Sequence, residues 1–386
     1  MSTYNDASLI YYPSGYKASK AYSLKPTDGS GDLTFTRAST ATRVNSAGLI
    51  ESVATGVPRI DFTGAGCAKL LLEPQRSNLQ TQSNGFLSNW NNNEVTTSVG
   101  ESALISAETT TLITETAVNA VHRVVSVSAV TLTIGSVYTI SFYAKSNGTR
   151  NIGLRTGFTG SSANIIFNPN TQTAVSVPAG FTTNITAAND GYYRYSITAT
   201  AGAASDLISV VMFNGTSLVY TGTSESIYIS AIQTELGAYP TSYIPTTTTA
   251  VTRVVDSASK TGMGYNLLNG YTVFFNFETL SVTAYNQFQF RQNASNYILR
   301  IGNNYNIGNA LAQGPNILGK NKYALSVQNN GNYALYRNSI LLANGTGVTA
   351  NLEEIRSDLP GPHLIDSIIL YEIALSNAEL ETLTTL

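Results

Sequence analysis

Apolar and polar residues alternate with a period of two through most of this chain, and helical periodicity is scarce. The clearest alternating stretches are 137–144, 151–156, 192–199, 207–213 and 226–233. A second set follows at 271–277, 288–291, 297–301, 323–328, 333–337 and 365–371. Each predicts a strand with one face on a core. Asn-Gly pairs lie between several of them, at Asn147–Gly148, Asn214–Gly215, Asn330–Gly331 and Asn344–Gly345. Both residues tolerate positive φ, which a two-residue hairpin turn needs, so the pairs predict antiparallel connections. One helix is expected, at the end. Ser376-Asn377-Ala378-Glu379 reads as a capping box, and Leu380 and Leu383 follow at the spacing that would dock on the last sheet.

Texture divides the 386 residues into regions, and that length suits two to three domains. Residues 1–82 are irregular, 83–245 hold the first regular strand set, 246–251 form an uncharged connector and 252–386 a second strand-rich block. No repeat of fixed period appears, which argues against a β-helix or propeller. The expected class is all-β: two antiparallel β-sandwich (jelly-roll) modules after an irregular N-terminal region, with one short C-terminal helix.

Composition sharpens this picture. Only 11% of residues are charged, against about 25% in an ordinary globular protein, while 42% are hydrophobic. Thr, Ser, Asn and Gly fill the gap, so the surface is wetted by hydroxyls and amides. The formal net charge is −2, and the longest run of like charge is Glu353–Glu354. That excludes the Lys/Arg stripe a nucleic-acid binder needs to displace counterions. Cys67 is the single cysteine, so no internal disulfide forms; it reads as a small buried apolar residue in a protein folded in a reducing compartment. Met1 to Asp6 lack the basic and apolar parts of an export signal, and no window reaches the ~20 apolar residues of a membrane span. The Asn-x-Ser/Thr matches at Asn147, Asn184, Asn214, Asn293 and Asn344 therefore read as turn chemistry.

Three segments resemble structural proteins of bacteriophage particles. The first runs Leu33-Thr34-Phe35-Thr36-Arg37-Ala38-Ser39-Thr40-Ala41-Thr42-Arg43-Val44-Asn45, then Gly48-Leu49-Ile50-Glu51 and Pro58-Arg59-Ile60-Asp61-Phe62. It closes on Leu70-Leu71-Leu72-Glu73-Pro74-Gln75-Arg76-Ser77-Asn78-Leu79 and is similar to the N-terminal region of phage appendage and minor tail proteins. The second, Gln233-Thr234-Glu235-Leu236-Gly237-Ala238-Tyr239-Pro240-Thr241-Ser242-Tyr243-Ile244-Pro245 with Val251-Thr252-Arg253, resembles the closing strand of a carbohydrate-binding-module-like jelly roll in such proteins. Gly191-Tyr192-Tyr193-Arg194-Tyr195 has that module's texture too. The third segment joins Tyr323 to Val327, Tyr333 to Asn338, Ile368 to Tyr371 and Leu375 to Leu380, and looks like a concanavalin-type (laminin-G-like) domain. The resemblance implies a head fibre, tail fibre or minor tail protein: an attachment region at 1–82, then two sandwiches. It also implies self-association as a homotrimer or homodimer and contacts with other virion proteins of capsid or tail.

Catalytic constellations are missing. There is no G-x-S-x-G elbow and no phosphate loop; Gly64 and Gly66 read as a turn. The two histidines, His122 and His363, fall in different modules with no cysteine or paired carboxylates nearby, and His363 beside Pro360 and Pro362 reads as a loop residue. Paired carboxylates for glycan cleavage are not discernible among 23 scattered acidic residues. A glycan-binding surface needs less: an aromatic face with amides and hydroxyls around it. Trp90, within Ser88-Asn89-Trp90-Asn91-Asn92-Asn93, is one candidate, with core packing as the bland alternative. Tyr193 is the other; alternation predicts that it faces away from Tyr192 and Tyr195. Calcium is a candidate structural ion on Asp28 and Asp32, where Asp28-Gly29-Ser30-Gly31-Asp32 offers two carboxylates, although an ordinary turn explains the segment as well.

The sequence thus predicts a non-enzymatic virion appendage, assembled in the host cytoplasm, that adheres to host-surface polysaccharide. The alternatives are a glycan depolymerase and a purely structural virion protein. Neither nucleic acid nor membrane insertion is expected.

Overall fold

A computed structural model describes residues 3–386 except 18, 65, 282–287, 310–311 and 358–360. Its elements are almost all antiparallel strands, with the short C-terminal helix Asn377–Leu383. The eleven strand stretches read from alternation are all present, most of them extended by one to four residues at an end.

The first sandwich packs two six-stranded sheets. One is centred on Val137–Asn147 between Ser226–Leu236 and Tyr193–Thr200. The other is centred on Ser209–Phe213 between His122–Ser126 and Asn151–Thr156. Their inward residues form one core, in which Phe142 and Phe167 pack on Tyr195 at ring separations of 5.6 and 5.0 Å. A bulge in Ser226–Leu236, with Ala231 at φ 51°, shifts the register against Val137–Asn147. The alternation changes phase there. Ile227, Ile229 and then Ile232 stay in the core, while Gln233 and Glu235 turn to the outside of the sheet.

The second sandwich has an eight-stranded and a nine-stranded sheet. Its core is aromatic: Phe275 stands 5.1–5.8 Å from the rings of Phe277, Phe288, Phe290 and Tyr323. Such pairs contribute about 0.5–1.5 kcal/mol each beyond their burial.

Residues 1–82 are not a region apart. Leu9–Tyr11 and Lys69–Leu72 pair with His363–Tyr371, and Leu33–Thr36 pairs with Ser257–Tyr265. The strands are too short for their pattern to show in sequence, and each closes a sheet from the far end of the chain. The first sandwich is consequently an insertion within the second. The hairpin Ala41–Val44/Ile50–Val53 faces the other way: Ile50 packs with Tyr143, Tyr192 and Tyr243 on the outside of the first sandwich. The connector is pinned at its start, where the Thr246 amide donates to Ser83 Oγ at 2.8 Å.

Turns also depart from expectation. Of the four Asn-Gly pairs, only Asn330–Gly331 lies between two paired strands, Gly319–Val327 and Tyr333–Arg337. Asn344–Gly345 ends the strand Ile340–Gly345, and the hairpin before it turns at Asn338 and Ser339, φ 51° and 67°. Asn147–Gly148 crosses from one sheet to the other. Cys67 is exposed, not a core residue. At the C-terminal helix Glu379 accepts from both the Ser376 amide and its hydroxyl at 2.8 Å, and Leu380 is buried beneath it.

Candidate functional site

Two of the three segments singled out by resemblance, the first and the second, converge on one buried charge cluster where the two sandwiches meet. Arg37 follows Leu33–Thr36, Arg59 precedes the strand Ile60–Asp61, and Glu73 follows Lys69–Leu72. Thr241 and Ser242 come from the loop closing the first sandwich, and Arg253 and Asp256 from the return into the second. The Arg59 guanidinium donates to Glu73 at 2.7 Å and also to Asp256. Arg37 reaches Asp256 at 3.1 Å and Arg253 reaches Glu73 at 2.9 Å. Arg59 and Arg253 are among the largest fully buried side chains of the protein.

Burying ions is costly unless each is paired and hydrogen-bonded. Here three guanidiniums pair with Glu73 and Asp256, and Glu235 adds a third negative charge near Arg253. Glu235 reaches the site because of the bulge, and it accepts from the Thr241 amide at 2.9 Å. Burial alone would raise the Glu73 pKa, but Arg253, Arg59 and the Ser242 hydroxyl outweigh it and hold the carboxyl well below its usual range. Amides complete the joint. Asn78 donates to the Ile232 and Ile244 carbonyls and accepts from the Thr234 amide at 3.0 Å. All the charged members of the cluster are buried. Its chemistry is that of a rivet.

The sequence-picked residues are scattered elsewhere. Trp90 is 6% exposed, lies against Phe86 at 4.7 Å and donates its indole N–H to the Gln82 carbonyl at 3.0 Å. It is a core residue at a sheet edge and offers no stacking platform. Tyr193 is half-buried and packs on the first core together with Tyr195, while Tyr192 lies in the cluster on the other side of the sheet. The expected division does not hold: Tyr193 and Tyr195 are two apart on one strand and share a face, and Tyr192 is the residue that faces away. Asp28 accepts from the Ser30 amide and hydroxyl, and Asp32 from the Ser23 amide at 2.8 Å. Each carboxylate ties its own loop instead of joining a cage, and no group of three metal-ligating side chains occurs among the described residues.

His122 is buried, with ring nitrogens 2.7 and 3.1 Å from the carbonyls of Glu94 and Tyr220. His363 opens a strand and is not a loop residue; Pro360 lies outside the described residues. Its ring meets Phe277 and Phe288 edge-on, and burial pushes its pKa down to about 4.

A groove of about 790 Å³ opens on the outer face of the eight-stranded sheet, beside the C-terminal helix. Ser326, Ala334 and Asn344 sit side by side on adjacent strands along it. Gln328, Asn332, Thr346 and Asn377 line it too. No Asp, Glu, Lys, Arg or His is among the lining residues. Amides and hydroxyls on a small-residue floor, with the Tyr333 ring beside them, can exchange hydrogen bonds with a polyhydroxylated ligand. Sequence reasoning missed this groove because its row is set by cross-strand register.

No family model and no curated protein matches this chain. Among solved structures, the CBM40 module of a Ruminococcus gnavus IT-sialidase is 17% identical, with 31% of this chain and 85% of that chain covered and a TM-score of 0.26. Domain 4 of the arabinanase AbnA from Geobacillus stearothermophilus, solved with arabinotriose, is 18% identical over 39% of this chain and 84% of that one, TM-score 0.29. The binding domain of botulinum neurotoxin DC is 11% identical over 34% and 39%, TM-score 0.28.

Proposed function

We propose that this chain is a non-enzymatic structural and adhesive component of a bacteriophage particle, anchored through its second sandwich and binding surface glycans. One observation carries the virion part. Two of the three segments that resemble appendage proteins contribute to the buried junction, which supports a structural role for the residues that carry the resemblance. Such a joint makes two sandwiches move as one body, which suits a projecting fibre or spike. Self-association as a dimer or trimer belongs to the same reading, and repeated weak contacts would then add through effective concentration.

Adhesion is supported by the neutral groove. Hydrolysis of a glycosidic bond uses two carboxyl groups about 5–9.5 Å apart flanking the sugar, and this groove is lined by none. The test has two parts. Electron microscopy of particles with a tagged chain should locate it on a capsid or tail projection; its recovery only as a free soluble protein overturns the virion reading. Purified protein should bind neutral oligosaccharides and lose them when Asn344→Trp fills the groove, whereas release of reducing ends from host polysaccharide would overturn the non-enzymatic reading.

A further inference from the structure

Among the described residues, Arg123 and Arg155 are the two arginines given no acidic, hydrogen-bonding or aromatic partner. They share one face of one sheet. Arg123 lies in His122–Ser126 and Arg155 in Asn151–Thr156, on either side of Ser209–Phe213. Val211 stands opposite Arg123, and Ser209 opposite Arg155. Their neighbours Val124, Val210, Ile152 and Leu154 all belong to the core, so alternation places both arginines on the outer face.

Between them lie Val211, buried in a small apolar cluster with Ile166 and Phe213, and Ser209; beside Val211 the ground is kept low. Gly153 stands across Val211 from Arg123, and a Cβ there would fall 1.9 Å from the Ile165 carbonyl oxygen. Amides border the pair on both sides. Asn93 and Asn91 face Arg123 and Val125 on one flank, and Asn164 faces Arg155 on the other. Both arginines are only half-exposed, and the Arg123 Nε and Asn164 Oδ1 atoms are buried with nothing to bond.

Asp206, in the short strand Ser205–Asp206, gives neither arginine a partner. Its carboxylate is instead spent on the Thr156 hydroxyl and the Gly157 amide. Burial, then the nearby Arg155 charge, disfavour the Arg123 cation. Elsewhere this chain pairs its buried arginines with acids, as at Arg59 and Arg150. Two half-buried cations left without a counter-ion on either side of one strand, with unsatisfied atoms around them, cost stability.

We propose that Arg123 and Arg155 form a binding site for a carboxylate-bearing sugar, whose carboxylate bridges the two guanidiniums while its ring hydroxyls meet Asn91, Asn93 and Asn164. Planar guanidinium forks match a carboxylate, and side-chain amides both donate to and accept from hydroxyls. The proposal rests on the adhesive reading and sharpens it: acidic sugars on the first sandwich, neutral ones on the second.

The full chain would be titrated by calorimetry with an oligogalacturonate, with maltotriose and with inorganic sulfate. The expected result is binding of the uronate at least about tenfold tighter than maltotriose or sulfate, weakened by salt, and reduced about tenfold or more in Arg123→Gln/Arg155→Gln. The double Lys variant keeps the charges but not the forks, and should fall between the two, which guards against a misfolded Gln variant. Uronate binding that survives in the double Gln variant, or sulfate binding as tightly as uronate, overturns the site. Maltotriose binding without uronate binding also overturns it while leaving adhesion standing; binding of no sugar at all removes both.

Discussion

Ser242 occupies both carboxylate oxygens of Glu73, its amide donating to one at 2.8 Å and its hydroxyl to the other at 2.6 Å. The residues are 169 positions apart. One follows a strand of the second sandwich and the other belongs to the loop that closes the first. The bond therefore joins the two bodies, and Arg59 and Arg253 lean on the same carboxylate.

Glu73→Gln should be severe. It leaves two buried guanidiniums short of charge, and breaking a buried pair from one side costs about 3–5 kcal/mol. Arg43→Gln, which removes a partly exposed pair with Glu51, should cost about 0–1 kcal/mol. Urea unfolding of the two variants against the parent decides it; equal losses would mean that the junction is not the rivet described.

Acid should weaken the protein through His363. Its imidazole titrates near 6.5 when unfolded but at about 4 in the fold, held down by burial and only partly relieved by the bond to the Gly361 carbonyl and the distant Asp256 charge. Between those values the unfolded chain binds the extra proton. The contribution is whole above pH of about 6.5 and is lost as pH falls toward about 4, up to about 3 kcal/mol. His363→Phe, whose ring suits the Phe277 and Phe288 contacts, should flatten the melting temperature over that window. A variant with the parent's pH slope would refute this.

Trp90 should behave as a core residue. Its emission should be blue-shifted in the folded protein and red-shift on unfolding. Trp90→Ala should cost about 3–5 kcal/mol and Trp90→Phe clearly less. Trp90→Phe should leave saccharide affinity unchanged in the titrations above; a large loss of affinity in a stably folded variant would restore the stacking role.

Cys67 should react at once. An exposed thiol is labelled by a disulfide reagent without denaturant, to one equivalent per chain. Labelling that requires unfolding would contradict the exposure.

Where the sequence was informative, the cause was local. Period-two alternation marks strands such as Asn151–Thr156 and Tyr333–Arg337 because both of their faces are read within a few residues. The capping pattern at Ser376 and Glu379 is similarly self-contained. Non-local facts stayed hidden. The Arg59 and Asp256 partnership spans 197 positions, and nothing in either neighbourhood announces the other. A single bulged residue, Ala231, moves Glu235 from the core phase to the junction. Trp90 sits in a run of Asn and looks exposed, but it is the inward residue of an edge strand. The unpaired arginines become visible only once three strands are laid in register.

The insertion of one sandwich into the other sets how the protein carries force. Leu9–Tyr11 and His363–Tyr371 are neighbouring strands of a single sheet, so tension applied across the two ends of the chain meets that short ladder first. The intervening jelly roll hangs outside the line of pull. A pull of that kind would open this ladder before it strained the inserted sandwich.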